Sequence, residues 1–366
     1  MGFMIITSVD IYKYALPLTG PFSVGGQPLS QRQGYLIHLM SGQEIEGFGD
    51  VSPLPGLSEE SLQEALDQLL ALKRNLPHAS IPAGIERLNG KLDDWFNDLA
   101  LMPSVRFGVE SALLHLIAQS KSVSLSKLLS SKASDSVRIH GLLSGSKEQV
   151  IQDTLNLIDQ GFTAFKLKVG SDRIEEDIDK VRTLNAVLSG RALVHADANQ
   201  AWDLNQALYF GREVGCASIT YIEEPFADIT QIPEFYDQTL IPVALDESLK
   251  THKLDDLKSI DGLEMLILKP TLLGGIEKTW QILSQARRFG WGVGISSAFE
   301  SGVGLITLAQ LSAASHLKSS AGLDTLKWFK TDLLREKFPL EKGKVNTTRG
   351  VIRSADLDFN LLERII

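Results

Sequence analysis

From about residue 4 to residue 50, apolar and polar positions alternate, with glycines between the runs, as in IYKYALPL, GYLIHLM and EIEGFGDVS. A period of two predicts strands with one buried face, and the runs together predict a small antiparallel sheet. The period then lengthens. Ser58-Glu59-Glu60 opens SEESLQEALDQLLALKR, whose apolar residues fall at helical spacing, and Pro103 opens a second such segment over 103–120. Residues 1–125 therefore predict an α+β domain.

Beyond about residue 135, short apolar runs alternate with amphipathic ones. Strands are predicted at 138–144, 163–169, 192–197, 218–224, 241–247, 262–269, 291–297 and 321–325, separated by helices such as RIEEDIDKVRTLNAVL and EKTWQILSQARRF. Eight strands about one βα unit apart predict a closed parallel barrel. A doubly wound open sheet is the rival, but it gathers its site at one switch point, whereas here polar residues recur at strand ends all along the segment. The barrel domain is assigned to 126–330. Residues 331–366 hold no further βα unit and are expected to pack back on the first domain.

Composition narrows the class. The 366 residues are 43% hydrophobic and 22% charged, enough for a large core without disulfides. Cys216 is the only cysteine, which excludes an intramolecular disulfide and suits a reduced, cytoplasmic setting. Thirty-six basic against 45 acidic residues give a net charge of −9, with no basic cluster to follow a phosphate backbone. Nucleic acid is not an expected partner. The apolar N-terminus meets Asp10 and Lys13 too early for a signal or membrane span, and Ile6 stands where a lipidation signal at Gly2 requires Ser or Thr. No membrane association is expected, and monomer and homo-oligomer both fit the sequence.

The chemistry lies in charges within apolar strands. In TAFKLKV, Lys166 and Lys168 share one face while Phe165, Leu167 and Val169 share the other. If the apolar face meets the helices, both lysines point into the barrel and require anions there. Burial and a neighbouring ammonium each lower a lysine's pKa, which would make one of the pair a general base near neutral pH. The next strands end in acids: Asp197, then Glu223-Glu224, then Asp246-Glu247, about one βα repeat apart. Alternation alone does not decide which acid of each pair faces inward. Three converging carboxylates demand a cation, and an all-oxygen set suits Mg²⁺. His195 and Asn199 share the face of Asp197, and both are candidate substrate contacts, although a histidine there also suits a hydrogen-bonded structural role. Lys269 ends the sixth strand, across the barrel from Lys168. In SSAFESGVG, Ser296, Glu300 and Ser301 precede a glycine-led helix whose N-terminus is suited to a carboxylate, and an ordinary glycine-rich turn is the alternative.

These segments together resemble a known family over nearly the whole chain. KLKVG is similar to the Lys-x-Lys strand, HADANQAW to the Asp-x-Asn strand, YIEEPF to the Glu strand, ALDES to the Asp strand and LKPTLLGG to the second-lysine strand of the enolase superfamily, muconate-lactonizing branch. The resemblance implies a (β/α)7β modified TIM barrel with an α+β N-terminal capping domain. It further implies Mg²⁺ on Asp197, Glu223 and Asp246, Lys168 as the base, Lys166 as its tuner, and Lys269 facing the opposite side of the substrate to stabilise an enediolate. GFGDVSPLPGLSEESL, ISSAFESGVG and AGLDTLKWF resemble the o-succinylbenzoate synthase family, a group of lyases that form an aromatic precursor of menaquinone by syn elimination of water. On that likeness Pro21–Arg32 is a specificity loop, and Arg32 and Gly322 are further substrate contacts. Two positions depart from the branch. His195 stands where a family member carries arginine, and Gly322-Leu323-Asp324-Thr325 has one Asp where dipeptide epimerases show Asp-x-Asp. Racemisation or epimerisation of acylated amino acids or dipeptides, muconate cycloisomerisation, and a non-catalytic barrel are the alternatives.

Overall fold

The computed structural model describes residues 4–24, 27–42, 44–96, 99–348 and 351–366. Gly2, Gly25 and Gly26 of the segments singled out above lie outside the described residues.

The alternating N-terminal segment forms three antiparallel strands, β1 (Ser8–Val24), β2 (Gln27–Ser41) and β3 (Ile45–Val51). Along β1 the buried parity changes. Val9 and Ile11 pack into the main core, whereas Tyr14, Leu16 and Leu18 pack on the other face with Leu333, Leu334, Ile352 and Leu357. The sheet is thus covered on both sides. One cover is helical, α1 (Leu62–Asn75) and α2 (Pro103–Ser120). Contact between α2 and β3 is close because three glycines meet there: a Cβ on Gly47 would lie 2.0 Å from the Ala112 carbonyl oxygen, and one on Gly49 would lie 1.8 Å from that of Gly108. Helix α1 starts later than Ser58. Ser61 and Glu64 form a reciprocal capping box, while the Ser58 hydroxyl accepts from the Leu54 amide in the preceding turn.

The second half is a parallel barrel. Strands β4 (Gly141–Leu143), β5 (Ala164–Lys168), β6 (Leu193–Asp197), β7 (Ile222–Glu223), β8 (Val243–Leu245), β9 (Leu263–Leu268) and β10 (Gly292–Ile295) pair in sequence order. The eighth stave is two residues long. Ala321 bridges Ile139 and Gly322 bridges Ser296, which closes the ring. Helices α3 (Lys147–Asp159), α4 (Ile174–Leu188), α5 (Leu204–Val214), α6 (Ile232–Thr239), α7 (Ile276–Phe289) and α8 (Gly302–Ala314) follow their strands. No described helix is long and apolar enough to cross a membrane. The last strand, β11 (Glu363–Ile365), pairs antiparallel with β1, Arg364 opposite Tyr12.

Candidate active site

The parallel ladder decides which side chains face the interior. Lys166 lies opposite His195, Lys168 opposite Asp197, and Asp197 opposite Glu223. Cross-strand partners in a ladder share a face, so this set points inward while Phe165, Leu167, Ala196 and Ile222 point to the helices. Glu223 is therefore the inward acid of its pair. Glu224, with φ of +43°, accepts from the amides of Asp246 and Ser248, from the Ser248 hydroxyl and from Gln200 Nε2, each at 2.8 Å. It braces the backbone of the next acidic residue, a role that sequence alone did not disclose. A left-handed φ at Glu costs of order 1 kcal/mol or more, and those four bonds hold it there.

Lys166 Nζ reaches Asp197 and Glu223, both at 2.7 Å, and its side chain is 8% exposed. Lys168 Nζ reaches Asp197 and the Asn199 amide oxygen at 2.6 Å, with its side chain 36% exposed. Of the two lysines, Lys168 is the one open to a bound molecule. Across the mouth, Lys269 is paired with Asp246. Glu247 accepts from Asn199 Nδ2 at 2.8 Å and also lines the cavity, so both acids of that pair reach the centre.

Electrostatics reverse the effect of burial at Lys166 and Lys269. Burial disfavours charge on Lys166, but Asp197, Glu223 and Asp246 outweigh it and hold its pKa well above the ordinary value. Burial likewise opposes charge on Lys269, and Asp246 and Glu247 reverse the sign. Glu223 is pushed up to about 8 by burial and then by Asp197. Three lysines face four carboxylates, and this excess of acids raises the proton affinity of Glu223.

The same surplus tests the fit of a metal. Among the described residues no three acidic or histidine side chains converge on one point at ligand distance, because Asp197 and Asp246 turn to the lysines. The donor chemistry nevertheless fits a hard divalent cation. Asp197, Glu223, Asp246 and Glu247 offer only oxygen, and Glu223 Oε2 and Glu247 Oε2 are buried without a partner among the described residues.

A cavity of about 530 Å³ opens over these residues. Lys168, Lys269, Asn199, Ser296 and Gly322 line it; a Cβ on Gly322 would come within 2.4 Å of Ser296 Oγ. Leu54 and Leu57 from the first domain, with Phe299 and Trp328, form an apolar wall that sequence analysis did not single out as lining a site. On the remaining side Asp324 accepts from the Leu142 amide at 3.1 Å and from Lys327 at 2.6 Å.

Four expected substrate contacts lie elsewhere. The buried Arg32 guanidinium donates to the carbonyls of Ser52, Pro53 and Phe299 at 2.8–3.0 Å and so braces the cavity wall. Glu300 accepts from Thr271 and the Ala298 amide, and Ser301 donates to Asp50. The amides at the start of α8 are taken as well, Ser301 by Asp50 at 2.7 Å and Gly302 by Asp332 at 2.8 Å, so these groups do not cradle a substrate carboxylate. His195 sits beneath the lysines, stacked on Tyr221 with ring centroids 4.3 Å apart. Burial and then Lys166 lower its pKa to about 4, leaving it neutral.

Comparison with known proteins agrees with this geometry. Residues 149–351 match the family described as "Enolase C-terminal domain-like", and residues 6–116 match "MenC, N-terminal domain". The o-succinylbenzoate synthase of Citrobacter koseri is 31% identical over 90% of this chain and 93% of its own length. The chloroplastic protein PHYLLO of Arabidopsis thaliana is 28% identical over 90% of this chain, which spans 21% of that longer protein. Among solved structures, muconate lactonizing enzyme from Pseudomonas fluorescens superposes with a TM-score of 0.85 over 98% of both chains at 21% identity. Dipeptide epimerase from Enterococcus faecalis, complexed with Mg and a dipeptide, gives 0.84 at 19% identity over 95% of this chain and 98% of its own. A capping sheet, a closed barrel with lysines and acids at one mouth, and these matches together establish that the chain belongs to the enolase superfamily of enzymes.

Proposed function

We propose that the chain is an o-succinylbenzoate synthase, dehydrating 2-succinyl-6-hydroxy-2,4-cyclohexadiene-1-carboxylate to o-succinylbenzoate, a step in menaquinone formation. The observation that carries this reading is the wall facing the lysines: apolar Leu54, Leu57, Phe299 and Trp328, beside an Asp324 already neutralised by Lys327. Such a wall suits a six-membered carbocycle and offers no free anion to an ammonium group. The Citrobacter koseri relative carries the same activity in its name.

In this reading Lys168 Nζ, in its amine form, removes the proton α to the ring carboxylate. Asp197, Glu223 and Asp246 would hold Mg²⁺, which supplies positive charge where the substrate carboxylate gains negative charge. Lys269, held as an ammonium beside Asp246, faces the other side of the substrate and stabilises the same charge. Lys166 keeps Asp197 and Glu223 in place. Electrons of the broken C–H bond then form the third double bond of the ring as the C–O bond breaks, and the ammonium of Lys168 returns its proton to the departing hydroxide, which leaves as water. One base serving both steps makes the elimination syn.

The second reading is racemisation of N-acylated amino acids, favoured by Lys168 and Lys269 standing across the mouth from each other. An ultraviolet assay with the cyclohexadiene substrate and Mg²⁺, repeated with EDTA, separates the two. Metal-dependent aromatisation supports dehydration. Absence of turnover, with inversion and deuterium exchange at an acylamino acid α-carbon, moves the assignment to racemisation.

A further inference from the structure

The barrel has a second opening, at the end opposite the lysines and acids. There the starts of the staves, from Arg138 and Thr163 round to Ser320, surround a cavity of about 920 Å³. No residue lines both this cavity and the one at the catalytic mouth. The N-terminal end of such a barrel ordinarily carries packing and stability. Here it carries buried polar atoms that bond no other described residue. His195 is 5% exposed, and among the described residues neither its Nδ1 nor the buried Ser320 Oγ has a partner. Both residues line the cavity. A buried polar atom left unbonded disfavours the folded state, a cost that a ligand arriving from outside would relieve.

The other lining groups define what would fit. Tyr221, 7% exposed and stacked on His195 at an interplanar angle of 12°, and the half-buried Trp291, in edge contact with Phe289 at 5.1 Å, contribute aromatic lining. Around them stand Arg138, Arg191, Lys258 and Lys318, opposed by Asp261 and Glu264. On a chain whose net charge is −9, this is a local excess of positive charge. Arg191 is committed to the carbonyls of Leu188 and Val187, which leaves Arg138, Lys258 and Lys318, all exposed, as the principal rim charges.

We propose that this N-terminal mouth of the barrel binds a small planar aromatic anion, its ring against Tyr221 and Trp291 and its charge toward Lys258 and Lys318. The site is separate from the catalytic one and does not depend on which reaction occurs there. Its occupant would meet His195, which lies beside Lys166 in the ladder.

The test uses full-length protein with Mg²⁺, labelled with 5-fluorotryptophan at its five tryptophans. The resonances of Trp291 and Trp328 are assigned by Phe substitution, and 2-naphthoate is titrated while ¹⁹F spectra are recorded. The Trp291 resonance is expected to shift saturably. Lys258→Glu combined with Lys318→Glu, both on exposed side chains, is expected to weaken that binding by at least about tenfold and to leave any response at Trp328 unchanged. The uncharged 2-naphthalenemethanol is expected to bind at least about tenfold more weakly than 2-naphthoate. A silent Trp291, an unchanged affinity after charge reversal, or equal binding of the alcohol would each overturn the proposal.

Discussion

Asp50, on the first domain, accepts both the amide and the hydroxyl of Ser301, on the barrel, each at 2.7 Å. Its other oxygen accepts from the Tyr14 hydroxyl at 2.7 Å, so one buried carboxylate ties the capping sheet to the start of α8. Asp50→Ala is expected to cost about 2–3 kcal/mol, since charge-assisted bonds are lost and buried donors are left unpaired. Urea denaturation measures the loss; a variant within about 0.5 kcal/mol of the parent would show that the link is not structural.

Lys168→Ala is expected to lower dehydration about 10³-fold while leaving the far-ultraviolet circular dichroism spectrum unchanged. Its side chain is 36% exposed, so truncation leaves only a small buried defect. Turnover near that of the parent would remove Lys168 from the role of base. Lys166→Ala should differ, because it removes the ammonium that buried Glu223 and Asp197 share, leaving Asp197 to Lys168, and is expected to destabilise the fold by about 3–5 kcal/mol.

Asp246→Asn and Glu247→Gln discriminate between the two acids that reach the centre. Calorimetric Mg²⁺ titration is expected to show the larger loss for Asp246→Asn. The reverse order would transfer the ligand role to Glu247. Glu224→Gln is expected to weaken Mg²⁺ binding by about 10–100-fold without touching the ion, because Glu224 fixes the Asp246 backbone.

Glu300 sets a pH dependence. Burial pushes its pKa from 4.5 up to about 7, against the bonds from Thr271 and Ala298. Between these values the folded state binds the proton that the unfolded state releases. Stability from this group is therefore full below about 4.5 and lost as pH rises through about 7, by up to roughly 3 kcal/mol. Glu300→Gln carries no such proton, so the variant should gain on the parent as pH goes from about 5 to about 8. Urea midpoints at each pH give the comparison, and a constant difference would sink the idea.

What the sequence made legible was chemistry that contradicts its surroundings. Lys166, Lys168 and Lys269 stand out because they interrupt strands that are otherwise apolar, and Asp197 because it ends one. The closure of the barrel follows from the even spacing of such strands. The choice between Glu223 and Glu224 needed the ladder, since one residue of slip reverses every side chain. Arg32, Glu300 and Ser301 were misread for another reason. The partners of Arg32 and Ser301 are fixed by the docking of the two halves and that of Glu300 by the neighbouring barrel loop at Thr271, and no local pattern shows that a polar group is already satisfied. Leu54 and Leu57 are ordinary apolar residues until a domain places them over the barrel mouth.

The pairing of Glu363–Ile365 with Ser8–Val24, together with the packing of Leu333, Leu334, Ile352 and Leu357 on that sheet, bears on how the chain is made. During synthesis the first strands emerge before the barrel, yet the strand that flanks them and the side chains that cover their second face leave the ribosome only after it. Until then an apolar surface and an unpaired edge remain open, the usual conditions for misassembly in a crowded cell. Maturation of the capping sheet is thereby postponed until the barrel has been translated, and a polypeptide halted near residue 330 would expose that surface to whatever recognises incomplete proteins.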